Sequence, residues 1–85
     1  MTETEHSQKA RRLLAEALGI PLQRAKELSS MYDIPEWDSE GQLCIILALE
    51  ECTGREIRDE TLFEQLTEVS EIIAFLLETA QEKDS

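Results

Sequence analysis

Ile34-Pro35-Glu36-Trp37-Asp38-Ser39 runs straight into Glu40-Gly41-Gln42-Leu43-Cys44-Ile45-Ile46-Leu47-Ala48-Leu49-Glu50-Glu51, and the join at Asp38 decides how the chain folds. Pro35 biases Ile34 toward an extended backbone, so the residues before it read as loop. The apolar run from Leu43 to Leu49, with Glu50 and Glu51 behind it, is too long and too polar at its flank for a buried strand, which predicts a helix. Asp38 then stands at the N-cap, its carboxylate accepting from first-turn backbone N–H groups. Ser39 opens the helix with its hydroxyl toward solvent, where free N–H groups and the helix dipole favour an anion. A phosphate ester suits that position.

Three further helices follow from spacing. Ala10, Leu13, Leu14, Ala17 and Leu18 recur at helical intervals over 7–18, and Gly19 with Pro21 stops the run. The connection from Ile20 to Asp38 is long enough to expect a purpose, and Leu22 to Met31 has room for a turn of helix. The helix from Ser39 ends near Thr53, before Gly54. A short element is expected between Asp59 and Gln65. Thr67 is expected to cap a last helix striped with Val69, Ile72, Ile73, Leu76 and Leu77. The fold class is therefore all-α: a small four-helix bundle with a long loop between the first two helices and a short third helix. It forms one domain over 1–85, with frayed tails at 1–6 and 79–85.

The helix that follows Ser39 has two apolar sides. Gln42, Ile45, Ile46, Leu49 and Thr53 fall on one, and Glu40, Leu43, Leu47 and Glu51 on another. If the first faces inward, Leu43 and Leu47 either complete the core or form an exposed strip beside Ser39, rimmed by Glu36, Glu40, Glu50 and Glu51. An exposed strip would be a docking site.

Composition narrows the function. The chain has 85 residues, 19 Asp and Glu against 8 Lys and Arg, and a net charge of −11. A chain this short holds one modest core and leaves little room for a deep catalytic pocket. Its charge repels phosphate backbones and anionic bilayers and favours transient docking on basic proteins. No stretch is apolar enough to span a membrane, and Met1-Thr2-Glu3-Thr4-Glu5 is unlike a signal peptide, so a cytoplasmic setting is expected. Cys44 and Cys52, eight apart on one helix, lie about 80° around the axis and about 12 Å along it, which rules out a mutual disulfide. With one histidine and no Cys-x-x-Cys pair, no metal site is expected, and both thiols read as small apolar residues. A hydrolytic serine would need a held general base, and the single His6 sits in the expected tail, so no catalytic residue is assigned. Trp37 reads as an anchor for the loop.

The run Ile34-Pro35-Glu36-Trp37-Asp38-Ser39, then Gly41, Leu43 and Leu47-Ala48-Leu49-Glu50-Glu51, with Gly54, Glu56 and Ile57, resembles the acyl carrier proteins and related phosphopantetheine-binding carrier domains. The likeness spans about 7–77. It is similar to stand-alone carriers whose motif reads Ile-Pro-Glu-Trp-Asp-Ser-Leu-Gly. The resemblance implies that Ser39 receives a 4′-phosphopantetheine arm from coenzyme A. The arm's thiol then carries acyl or aminoacyl groups as thioesters, at high effective concentration for successive enzymes. Trp37, Asp38, Glu40 and Gly41 would surround the attachment, and the glycine would let the arm or a partner approach closely. Glu36, Leu43, Leu47, Glu50 and Glu51 would dock partners: a phosphopantetheinyl transferase, and acyl- or aminoacyl-activating and transfer enzymes with basic surfaces, met by a monomer.

Three residues depart from the family pattern. Glu40 replaces leucine at a position that implies apolar contact with partners, and a carboxylate buried there unpaired would cost several kcal/mol, so a partner should offer a basic or open site. Thr53 replaces a core phenylalanine, and Cys52 an acidic residue. Glu40 also favours the alternative, an unmodified acidic helical interaction module.

Overall fold

No glycine or proline interrupts the chain before Gly19, and α1 (Thr2–Leu18) uses all of that length. The computed structural model describes residues 2–84, with side chains from 5 to 80. Gly19 adopts φ 67°, and the Ile20 N–H reaches back to the Ala15 carbonyl at 3.0 Å, a Schellman-type stop that turns buried Ile20 into the core. Pro21 then opens a four-residue turn, α2 (Leu22–Ala25), its carbonyl accepting from the Arg24 and Ala25 N–H groups.

Asp38 and Gly54 bound α3 (Ser39–Thr53) as expected. The Asp38 carboxylate accepts from the Gly41 N–H at 2.9 Å, and Gly54 closes the helix at φ 72°. Asp59 caps α4 (Glu60–Gln65) through the Thr61 N–H at 2.9 Å. The last helix is α5 (Val69–Asp84). Thr67 is not its cap: the Thr67 hydroxyl donates backward to the Glu64 carbonyl at 2.7 Å, and the Glu68 carbonyl receives the first N–H bonds of α5, from Glu71 and Ile72. Thr67 thus finishes α4 rather than starting α5.

The described residues form five helices, three of them seven residues or longer, rather than four. The helices also continue into both expected tails. In α5 the Thr79 hydroxyl, buried, bonds the Phe75 carbonyl at 2.9 Å. Met1 and Ser85, and the side chains of 2–4 and 81–84, lie outside the described residues.

Helix α1 is the hub, packing on α2, α3 and α5. Ala10, Leu13 and Leu14 of α1 meet Ile45, Ile46 and Leu49 of α3 and Val69, Ile72, Phe75 and Leu76 of α5 in one core cluster. Two backbone bonds tie the α2–α3 connection to the start of α5: the Val69 N–H to the Ser29 carbonyl at 2.9 Å, and the Met31 N–H to the Thr67 carbonyl at 2.7 Å. The Asp33 carboxylate closes the same connection by accepting from the Ser29 and Ser30 N–H groups. Arg11 pins α2 onto α1 by donating to the Ala25 carbonyl at 3.1 Å and to the Leu28 carbonyl. Every described buried side-chain N or O atom has a partner.

Candidate functional site

The approach to Ser39 is a tight turn held from below. The Trp37 N–H bonds the Ile34 carbonyl at 3.1 Å, and the Tyr32 N–H bonds the Trp37 carbonyl at 3.0 Å, with Tyr32 at φ 72°. The Trp37 ring is fully buried, and its Nε1–H donates to Gln42 Oε1 at 2.8 Å. Trp37 therefore anchors the loop, as its sequence position implied, and it is not available to touch a partner or an arm. Gln42 donates in turn to the Phe63 and Leu66 carbonyls at 3.2 and 3.1 Å, which joins the loop, α3 and α4.

Asp38 has extended backbone, and its carbonyl accepts from the Gln42 N–H at 2.8 Å. That places Ser39 as the first helical residue, with an exposed side chain. Further first-turn N–H groups of α3 have no intrahelical partner there. The inner face of α3 is the one expected, with Gln42, Ile45, Ile46, Leu49 and Thr53 all buried. Leu43 and Leu47 settle on the other side, 51% and 54% exposed, so the two leucines form a strip and do not complete the core. Glu40, Cys44 and Glu51 are exposed with them. Cys44 and Cys52 are free thiols at the surface.

Three residues assigned to arm or partner contact have work inside the fold. Gly41 is buried, and a Cβ there would collide with the Glu36 carbonyl oxygen and approach Leu18 Cδ2 to 2.8 Å. What comes close to this glycine is the protein's own loop and α1, not an arm or a partner. The Glu36 carboxylate is gripped by both terminal nitrogens of Arg24, at 3.0 and 3.2 Å. This contact holds its carboxyl below the usual carboxylate range. Glu50 is half-buried and accepts from the Ile57 N–H at 2.8 Å, fixing the α3–α4 connection. Neither carboxylate pairing leaves a local mark in the sequence, because Arg24 is twelve residues from Glu36 and Ile57 seven from Glu50.

Thr53 satisfies itself where the carrier pattern has phenylalanine, its hydroxyl donating to the Leu49 carbonyl at 2.6 Å. Nearby, Arg55 lies over the Phe75 ring at 4.9 Å and donates to the Thr79 hydroxyl at 3.3 Å. These contacts close the end of the bundle at Thr53, Arg55 and Thr79.

Ser39 lines none of the four surface grooves of about 350 to 430 Å³. The site is thus an exposed hydroxyl beside an apolar strip. Among the described residues no three His, Cys, Asp or Glu side chains group to hold a metal, and no helix is long and apolar enough to cross a membrane. Comparison of the chain with protein-family models, curated proteins and solved structures returns no match.

Proposed function

We propose that this chain is a carrier protein of the acyl-carrier type, modified at Ser39 with 4′-phosphopantetheine from coenzyme A. One observation carries the proposal. The Ser39 hydroxyl is exposed on the first residue of a capped helix, and Leu43 and Leu47 stand exposed one and two turns further along that helix. When bound, the prosthetic group supplies a terminal thiol that holds acyl or aminoacyl groups as thioesters.

The residues present fit that group. Ser39 Oγ is exposed to solvent, and transfer to it would form the Oγ–P bond as the coenzyme's pyrophosphate bond breaks, with the Oγ proton lost and adenosine 3′,5′-bisphosphate released as the leaving group. The resulting phosphodiester sits at the α3 N-terminus, where the dipole offsets part of the repulsion from neighbouring carboxylates. Asp38 is committed to the cap and Glu36 to Arg24, so Glu40 and Glu51 are the carboxylates left to meet a basic partner, around the Leu43 and Leu47 strip. The partners are a phosphopantetheinyl transferase and acyl- or aminoacyl-activating and transfer enzymes.

Glu40 favours a second reading. Its carboxylate is exposed directly beside Ser39, where the carrier pattern has leucine, which suits an acidic helical interaction module that is never modified. Intact mass separates the two. Protein from its native host, and protein incubated with coenzyme A, magnesium and a broad-specificity transferase, should gain one phosphopantetheine that Ser39→Ala lacks. No gain in either setting would overturn the carrier assignment in favour of the unmodified module.

A further inference from the structure

Charge is unevenly divided along this chain. Residues 1–30 carry five Lys and Arg against four Asp and Glu, whereas residues 31–85 carry three against fifteen. Three of the cations meet in one groove of about 410 Å³ between α1 and α2, lined by Ser7, Gln8, Arg11, Arg12, Leu22 and Lys26. Among the described residues no carboxylate lines it.

The groove is partly preorganised. The Arg11 guanidinium is half-buried and held by the Ala25 and Leu28 carbonyls through one terminal nitrogen. Its remaining N–H donors keep a fixed direction, and fixing a guanidinium before binding reduces the ordering cost that a ligand meets. Burial also lowers the Arg11 pKa from its ordinary value, the sign of weakened hydration. Among the described residues neither Arg12 nor Lys26 closes an ion pair, although the chain has an excess of carboxylates. Ser7 and Gln8 add neutral donors, and Leu22, 38% exposed, adds an apolar wall.

We infer that this groove binds a small phosphorylated molecule, its phosphate taken by Arg11, Arg12 and Lys26 and an apolar portion resting on Leu22. Guanidinium and ammonium donors converging on one space match the oxygens of a phosphate, and the volume falls in the small-ligand range. A net charge of −11 opposes approach to an extended anionic bilayer, which favours a soluble ligand over a lipid headgroup. The site is independent of Ser39 and of the carrier proposal.

The test is titration of the full chain with inorganic pyrophosphate at constant ionic strength, read by backbone amide NMR shifts. Saturable shifts confined to residues 7–12 and 22–26 are expected. Arg12→Gln combined with Lys26→Gln should weaken binding at least tenfold without loss of helicity, since both side chains are exposed and unpaired. Arg58→Gln, elsewhere on the surface and paired with Glu56, should leave it unchanged. Shifts that fail to saturate or that follow every cation equally would overturn the proposal, as would equal binding by the double variant. Binding to vesicles containing phosphatidic acid without a saturable pyrophosphate response would identify a lipid surface and likewise overturn it.

Discussion

The Trp37 indole N–H donates to Gln42 Oε1 at 2.8 Å inside the core, and the Gln42 amide passes the connection on to the Phe63 and Leu66 carbonyls. A buried glutamine in so small a domain is costly unless every polar atom is used, and here every one is. The network fixes the turn that delivers Ser39, because Trp37 and Gln42 flank the Asp38 cap on either side. Gln42→Ala leaves the indole N–H and two carbonyls unsatisfied and should cost about 2 to 4 kcal/mol. Trp37→Phe removes one donor and some volume and should cost about 1 to 3 kcal/mol. Urea unfolding followed by circular dichroism measures both, and a change under half a kcal/mol in Gln42→Ala would show the network to be unimportant.

Gly41→Ala sets two opposite effects against each other. Alanine raises helix propensity by about 1 kcal/mol over glycine in a helix interior. The added Cβ, however, meets the Glu36 carbonyl and Leu18, and backbone on the loop side cannot yield as a flexible side chain can. Overpacking of this kind costs about 1 to 3 kcal/mol. The variant should therefore be less stable than the parent by the same unfolding measurement. A more stable Gly41→Ala would mean that the loop moves away freely.

What could be read in advance were the features with local causes. Asp38 and Gly54 mark the ends of α3 by residue type alone, and the period of Gln42, Ile45, Ile46, Leu49 and Thr53 gives its buried face. Ser39 and its exposure follow from the same cap. The missed features depend on distant partners. The turn of helix for which Leu22 to Met31 has room is present as α2, but its bounds were not legible, because only Ala25 is buried and the turn is held by Arg11 from another helix. Glu36 and Glu50 looked like docking carboxylates because Arg24 and the Ile57 N–H are not their sequence neighbours. Thr67 has the right residue type for a cap but turns its hydroxyl to Glu64.

Acid should loosen the loop before it unfolds the helices. The Ser30 and Ser29 N–H groups hold the Asp33 carboxyl below its ordinary range, and Arg24 does the same for Glu36. A carboxyl lowered in the folded state adds stability that is complete above its unfolded pKa and is lost as pH falls through the folded value. The loss therefore begins near about pH 4 and grows below it. Protonation of other carboxylates relieves repulsion over the same range, so the informative comparison is with Asp33→Asn, which keeps an acceptor but does not titrate. The protection factors of the Ser29 and Ser30 amides, each exchange rate referred to the intrinsic rate at that pH, should fall on acidification in the parent more than in the variant. Equal acid sensitivity in the two would rule out Asp33 as the responsible group.

Leu43 and Leu47 offer a test that separates docking from folding. Both are half-exposed, so Leu43→Ser and Leu47→Ser should change stability by no more than about 0.5 kcal/mol. On the carrier proposal the same changes should slow modification of Ser39 at least tenfold, because the strip is the apolar part of the surface beside the hydroxyl. Glu40→Leu should act in the opposite sense with a broad-specificity transferase, extending the strip and removing a charge that such an enzyme must desolvate. With a dedicated transferase presenting a basic site, Glu40→Leu should slow the reaction instead. Rates of phosphopantetheine transfer by intact mass, measured for all three variants with each enzyme, read this directly. If serine at 43 and 47 leaves the rate unchanged while Ser39 is still modified, the transferase does not dock on this face of α3.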